Sequence, residues 1–66
     1  MKTLVINGET RHVQADTLAE LLRRLDYDSA WLATAVNGEV VRRDARDGFL
    51  LTEGDRIEIL SPMQGG

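Results

Sequence analysis

The chain has no cysteine. It therefore has no disulfide staple, no thiolate for zinc and no side-chain sulfur able to form a persulfide or thioester. Sulfur handled by this protein would have to sit on some other atom of the chain. Histidine occurs once, at His12, with no second histidine or serine constellation around it, so it reads as an exposed edge-strand residue rather than a ligand or base. The glycines sit singly at turns until the last two residues. No GxxxxGK[ST] or GxGxxG cradle is formed, and ATP chemistry would belong to a partner.

Other scarcities narrow the class further. No apolar run approaches transmembrane length, and Met1 to Asn7 is too short and carries one charge, which does not fit a signal peptide. A cytoplasmic protein with no membrane partner is expected. Basic residues are in the minority, 8 against 11 acids for a net charge of −3, which argues against nucleic acid as the main partner. Asp44, Asp47, Glu53 and Asp55 lack the spacing of a calcium loop and are expected to solvate a connecting segment, with no metal bound. Arg23, Arg24, Arg42, Arg43, Arg46 and Arg56 likewise read as solvated charge.

What is present describes one small folded domain. Sixty-six residues, 42% of them apolar, bury only about 60% of the surface that the unfolded chain exposes. Charges of both signs are interspersed rather than blocked.

Thr3 to Ile6 is β-branched and runs into Asn7-Gly8, a pair suited to a tight hairpin. Thr10 to Gln14 returns as an edge strand. Thr17 and Glu20 fit a capping box, with Asp16 as a competing cap, and Leu18, Leu21, Leu22 and Leu25 follow at i, i+3, i+4 and i+7. That stripe predicts a helix lying across one face of a sheet and fading near Asp26 to Ser29. Leu32 to Val36, Asn37-Gly38 and Glu39 to Val41 repeat the hairpin pattern. Arg42 to Gly48 reads as charged and irregular, and Thr52 to Asp55 as a turn. Arg56 to Leu60 alternates as the final strand, and Pro62 ends the pairing. The expected fold is α+β, a mixed sheet with one main helix packed on one face.

The sequence closes on Gly65-Gly66. Taken as the end of the chain, that pair presents an α-carboxylate on a tail without side chains, able to enter a slot too narrow for other residues. Residues 1–62 are read as the domain and 63–66 as a flexible tail. Leu60, Phe49 and Trp31 are the candidates for a partner surface, Leu60 being equally readable as a residue that closes the core.

With Asn37-Gly38-Glu39-Val40-Val41, Glu53-Gly54-Asp55-Arg56-Ile57-Glu58-Ile59 and Gly65-Gly66 assembled, the chain resembles the ThiS sulfur carriers of thiamine biosynthesis over essentially its whole length. It departs from them at Arg42-Arg43, where many relatives have a proline. The resemblance implies a β-grasp, ubiquitin-like fold. It implies that a ThiF-like adenylyltransferase, using ATP and magnesium, adenylates the Gly66 carboxylate, and that a sulfur donor such as a cysteine desulfurase system converts it to a thiocarboxylate. A ThiG-like thiazole synthase then takes the sulfur. In this picture Gly65, Gln64 and Met63 dock the tail, no cofactor is bound, and catalysis resides in the partners rather than in this chain. Two further fates of an activated Gly66 remain open at this point, a MoaD-like role in molybdopterin synthesis and conjugation to lysines as a ubiquitin-like modifier.

Overall fold

The computed structural model describes residues 1–27 and 32–60. β1 (Lys2–Ile6) ends at Asn7 and Gly8, whose φ angles of 51° and 86° supply the two left-handed residues of a type I′ hairpin. β2 (Glu9–Val13) returns antiparallel, in register from Ile6↔Glu9 to Lys2↔Val13. Only Val13 of β2 is buried, as befits a polar edge strand.

Helix α1 (Leu18–Arg24) is capped by Thr17, while the competing candidate Asp16 turns its carboxylate to Lys2 Nζ at 3.3 Å. The Glu20 amide donates to Thr17 Oγ1 at 3.1 Å, and the Glu20 carboxylate accepts from the Asp16 amide at 2.8 Å. At the other end Asp26 takes φ 67°, and the amides of Asp26 and Tyr27 donate back to the carbonyls of Arg23 and Leu22. This is a Schellman closure with aspartate where glycine is usual. Leu18, Leu21 and Leu22 are buried, so the leucine stripe faces the sheet as its period predicts.

β3 (Ala33–Val36) and β4 (Glu39–Val41) form the second hairpin around Asn37 and Gly38, at φ 52° and 85°. The segment that follows is not irregular. Arg43–Gly48 is a 3-10 helix, and within it Arg46 is buried rather than solvated. Arg46 Nη2 donates to the Leu32 carbonyl at 2.6 Å and Nε to Thr34 Oγ1 at 3.1 Å, while Thr34 Oγ1 donates to the Val41 carbonyl at 2.8 Å. Burial, with the nearby charge of Arg43, lowers the pKa of this guanidinium.

Phe49, Leu50 and Leu51 then run along the start of α1, with the Leu18 amide donating to the Phe49 carbonyl and the Leu51 amide to that of Asp16, each at 2.9 Å. Asp55 is a second departure from the solvated reading. It is buried, and its carboxylate accepts from Thr52 N at 2.8 Å, Thr52 Oγ1 at 2.9 Å and Asn37 Nδ2 at 2.9 Å. These bonds hold the turn that launches β5 (Arg56–Leu60).

The sheet order is β2-β1-β5-β3-β4. β5 lies in the centre, parallel to β1 at Val5↔Arg56 and Ile6↔Ile57 and antiparallel to β3 from Val36↔Ile57 to Ala33↔Leu60. Leu4, Ile6, Val36, Ile57 and Ile59 point from the sheet into α1 and form the core with its leucines. This is the mixed sheet with one helix on one face that the sequence implied.

Candidate functional site

Strand alternation sends every second side chain away from α1. On β5 the outward positions are Arg56, Glu58 and Leu60, on β3 Ala33 and Ala35, on β4 Val40, and on β1 Thr3 and Val5. Among the described residues no element covers this face.

The face has two sectors. Near β2 it is polar, with Thr3 Oγ1 and His12 Nδ1 3.0 Å apart. Near β4 it is apolar. Val40 is 79% and Leu60 67% exposed, and the ladder sets Val40 beside Ala35 and Leu60 beside Ala33. Between them Glu58 marks the edge of a depression of about 90 Å³ lined by Ala33, Thr34, Ala35, Val40, Glu58 and Leu60. Single exposed apolar residues are ordinary, whereas several on one patch mark a place where another molecule sits.

Leu60 is also the last residue of β5, so the patch lies at the root of residues 61–66. That root is fixed on two sides. On one, Leu60 pairs with Ala33. On the other, where β1 has already ended, the Asn7 side chain takes over. Its Oδ1 accepts from the Ile59 amide at 2.8 Å, and its Nδ2 donates to the Ile59 carbonyl at 3.2 Å.

Of the residues singled out from the sequence, Leu60 stands on the open face and does not close the core. Phe49 is half-buried against the core beside the start of α1, on the opposite side of the sheet from Leu60, so the two do not share a surface. Trp31, Met63, Gln64, Gly65 and Gly66 lie outside the described residues. Val40, Ala33, Ala35 and Glu58 were read from the sequence as strand residues and not as part of a surface. The signal for the patch was nonetheless present in β5, where Leu60 is apolar at the same parity as Arg56 and Glu58.

Among the described residues no three His, Asp or Glu side chains gather as a metal site, and no helix is long and apolar enough to cross a membrane. The arrangement offers apolar contact beside a strand end held on both sides, which suits docking.

Comparisons with known proteins agree on what the chain is similar to. The family model described as the ThiS family matches residues 4–66. A crystal structure of the thiamine biosynthesis protein ThiS from Geobacter metallireducens is similar at a TM-score of 0.81 and 35% identity, covering 97% of this chain and 99% of that one. A solution NMR structure of a thiamine biosynthesis protein from the same organism gives a TM-score of 0.78 and 34% identity over 97% of this chain and 87% of that one. A protein named thiazole synthase from Paramagnetospirillum magneticum is 38% identical over 64 residues, which is 96% of this chain and 20% of that protein. The chain thus spans about a fifth of the length of that curated relative.

Proposed function

The chain belongs to the ThiS family, and from that premise we propose that it is a sulfur carrier for thiamine thiazole formation whose working group is the α-carboxylate of Gly66. The observation that carries this reading is the exposed Leu60 at the end of the central strand, next to Ala33 and Val40, with Gly65-Gly66 closing the sequence six residues later. A partner gripping the patch has the chain end within reach, since six extended residues span at most about 20 Å.

A carboxylate is a poor electrophile, so the first step is activation. A ThiF-like adenylyltransferase binds ATP and magnesium, and a Gly66 carboxylate oxygen attacks the α-phosphorus and displaces pyrophosphate. The product is an acyl adenylate with AMP as leaving group. The terminal sulfur of a persulfide that a desulfurase system forms from cysteine, brought to the sulfide level by two electrons from a thiol reductant that is oxidised to its disulfide, then attacks the Gly66 carbonyl carbon. The carbon–sulfur bond forms as the carbon–oxygen bond to AMP breaks, leaving a thiocarboxylate. With no cysteine in the chain, this main-chain carbon is the atom on which sulfur is held. Gly65 keeps the approach slim, and Met63 and Gln64 add contacts along it.

The acceptor is a thiazole synthase of the ThiG type. The likeness of this chain to part of a protein named thiazole synthase supports that partner, because it links a segment of this kind with that activity in one polypeptide.

The test is intact-mass and C-terminal fragment mass spectrometry after incubation with a ThiF-type enzyme, ATP, magnesium and a sulfur donor. Replacement of one oxygen by sulfur, confined to Gly66, is the expected result. A demonstrably active enzyme that yields neither adenylate nor thiocarboxylate would overturn the reading.

A further inference from the structure

We infer that Asn7 is a positioning residue for the segment that follows β5: its carboxamide fixes the close of β5, and with it the point to which residues 61–66 are attached. The inference rests on the carrier reading for its consequence, but its geometry stands alone.

On the side of β5 that faces β1, hydrogen bonds run in sequence from Thr3 O with Gly54 N at 2.8 Å, through Val5 N with Asp55 O at 3.0 Å, to Asn7 N with Ile57 O at 2.9 Å. There the β1 backbone turns away into Gly8. The next groups needing partners are the Ile59 N–H and C=O, just before the root. A carboxamide has the same planar donor and acceptor as a peptide group, and the Asn7 side chain fills both positions, at 2.8 and 3.2 Å. Asn7 therefore extends the parallel ladder by one unit without any further strand. Removing it leaves Ile59 and Leu60 held by β3 alone.

The second Asn-Gly turn makes the assignment specific. Asn37 has nearly the same φ, 52° against 51°. Its carboxamide instead bonds Arg56 N at 2.9 Å and Asp55 Oδ1 at 2.9 Å, at the opposite end of the same strand. Two identical turns thus pin β5, one where it starts and one where the tail begins. Only the second bears on where a terminal carboxylate is delivered. Freedom at the root widens the volume that a terminal carboxylate can sample, which lowers the effective concentration of Gly66 at a partner's active site while leaving the docking patch untouched.

The experiment compares Asn7→Gly with Asn37→Gly. Glycine keeps the positive φ of either turn and removes the carboxamide with its Cβ, so any added backbone freedom is common to the two variants. In the free protein, amide hydrogen exchange at Ile59 should accelerate about tenfold or more in Asn7→Gly relative to Leu4, and not in Asn37→Gly. In steady-state adenylation by a ThiF-type enzyme, Asn7→Gly should lower kcat about tenfold with KM for the carrier within about twofold of wild type. Asn37→Gly should leave both constants in place. If Asn7→Gly does not fold, Asn7→Asp keeps the acceptor for the Ile59 amide, loses the donor at neutral pH, and should show the same signs at smaller size. Unchanged Ile59 exchange, or equal kinetic losses in the two glycine variants, would overturn the assignment. A wild-type chain that an active enzyme fails to adenylate would instead sink the carrier reading, while the exchange data still decide whether Asn7 holds the root.

Discussion

The Asn37 carboxamide donates to the Asp55 carboxylate at 2.9 Å, tying the β3–β4 hairpin to the turn that launches β5. Burial by itself would raise the Asp55 pKa, but the bonds from the Thr52 amide, Asn37 and the Thr52 hydroxyl outweigh it and leave the pKa lowered. A carboxyl with a folded pKa below its unfolded value near 3.9 stabilises the fold above that value and loses the contribution as pH falls through the folded pKa. Glu53, whose pKa the Thr3 amide lowers, acts with the same sign from an exposed position. Urea midpoints measured from neutral pH into acid should therefore decline below about pH 4. Asp55→Asn should start lower and decline less steeply, and a profile as steep as wild type would remove Asp55 from this role.

Arg46 predicts a loss that charge alone would not. Arg46→Ala strips partners from the Leu32 carbonyl and Thr34 Oγ1, and should cost about 1–3 kcal/mol in urea unfolding. Arg46→Lys should recover little of it, because an ammonium cannot reproduce the two divergent guanidinium bonds. Full recovery by lysine would show that the positive charge, and not the bonding geometry, is what matters.

Leu22 and Leu60 should separate stability from docking. Leu22 is 5% exposed in the core, and Leu22→Ala should cost about 2–5 kcal/mol. Leu60→Ala should change stability by no more than about 0.5 kcal/mol. Its expected effect is instead on partner binding, about tenfold weaker for a ThiF-type enzyme by titration calorimetry. Undiminished binding would move the docking surface away from the β3–β5 end of the sheet.

Deleting Gly65 and Gly66 should leave the thermal midpoint where it is, because glycine has no side chain to bury, and should abolish thiocarboxylate formation. Mass spectrometry and a thermal melt on the same sample decide both halves.

Elements whose own side chains repeat with a period were legible in the sequence. β5 was read at its observed limits because Arg56, Ile57, Glu58 and Ile59 alternate strictly, and α1 was read at its start because its leucines recur at helical spacing behind the Thr17 cap, although it ends at Arg24, just before the expected fade. The 3-10 helix was not, since Arg43 to Gly48 offers charge without period and Arg46 becomes buried only by contacts with Leu32 and Thr34, distant in sequence. Asp55 was missed for the same reason, one of its partners being Asn37. Asn7-Gly8 announced a turn, but no local signal shows that Asn7 would bond a strand 52 residues later. Of the site, Leu60 was visible, whereas the neighbours that make it a patch are set by strand order.

Of the five strands described, β5 is the last in sequence. Until residues 56–60 pair, β1–β2 and β3–β4 are separate hairpins with no strand to join them, because the place between β1 and β3 belongs to β5. Pairing across that separation in sequence is the slow part of closing such a sheet. A chain that presents Leu60 beside Ala33 has therefore already paired its central strand with the β3–β4 hairpin. Under the proposed function, a partner that grips this one spot would meet only chains in which β3 and β5 have paired.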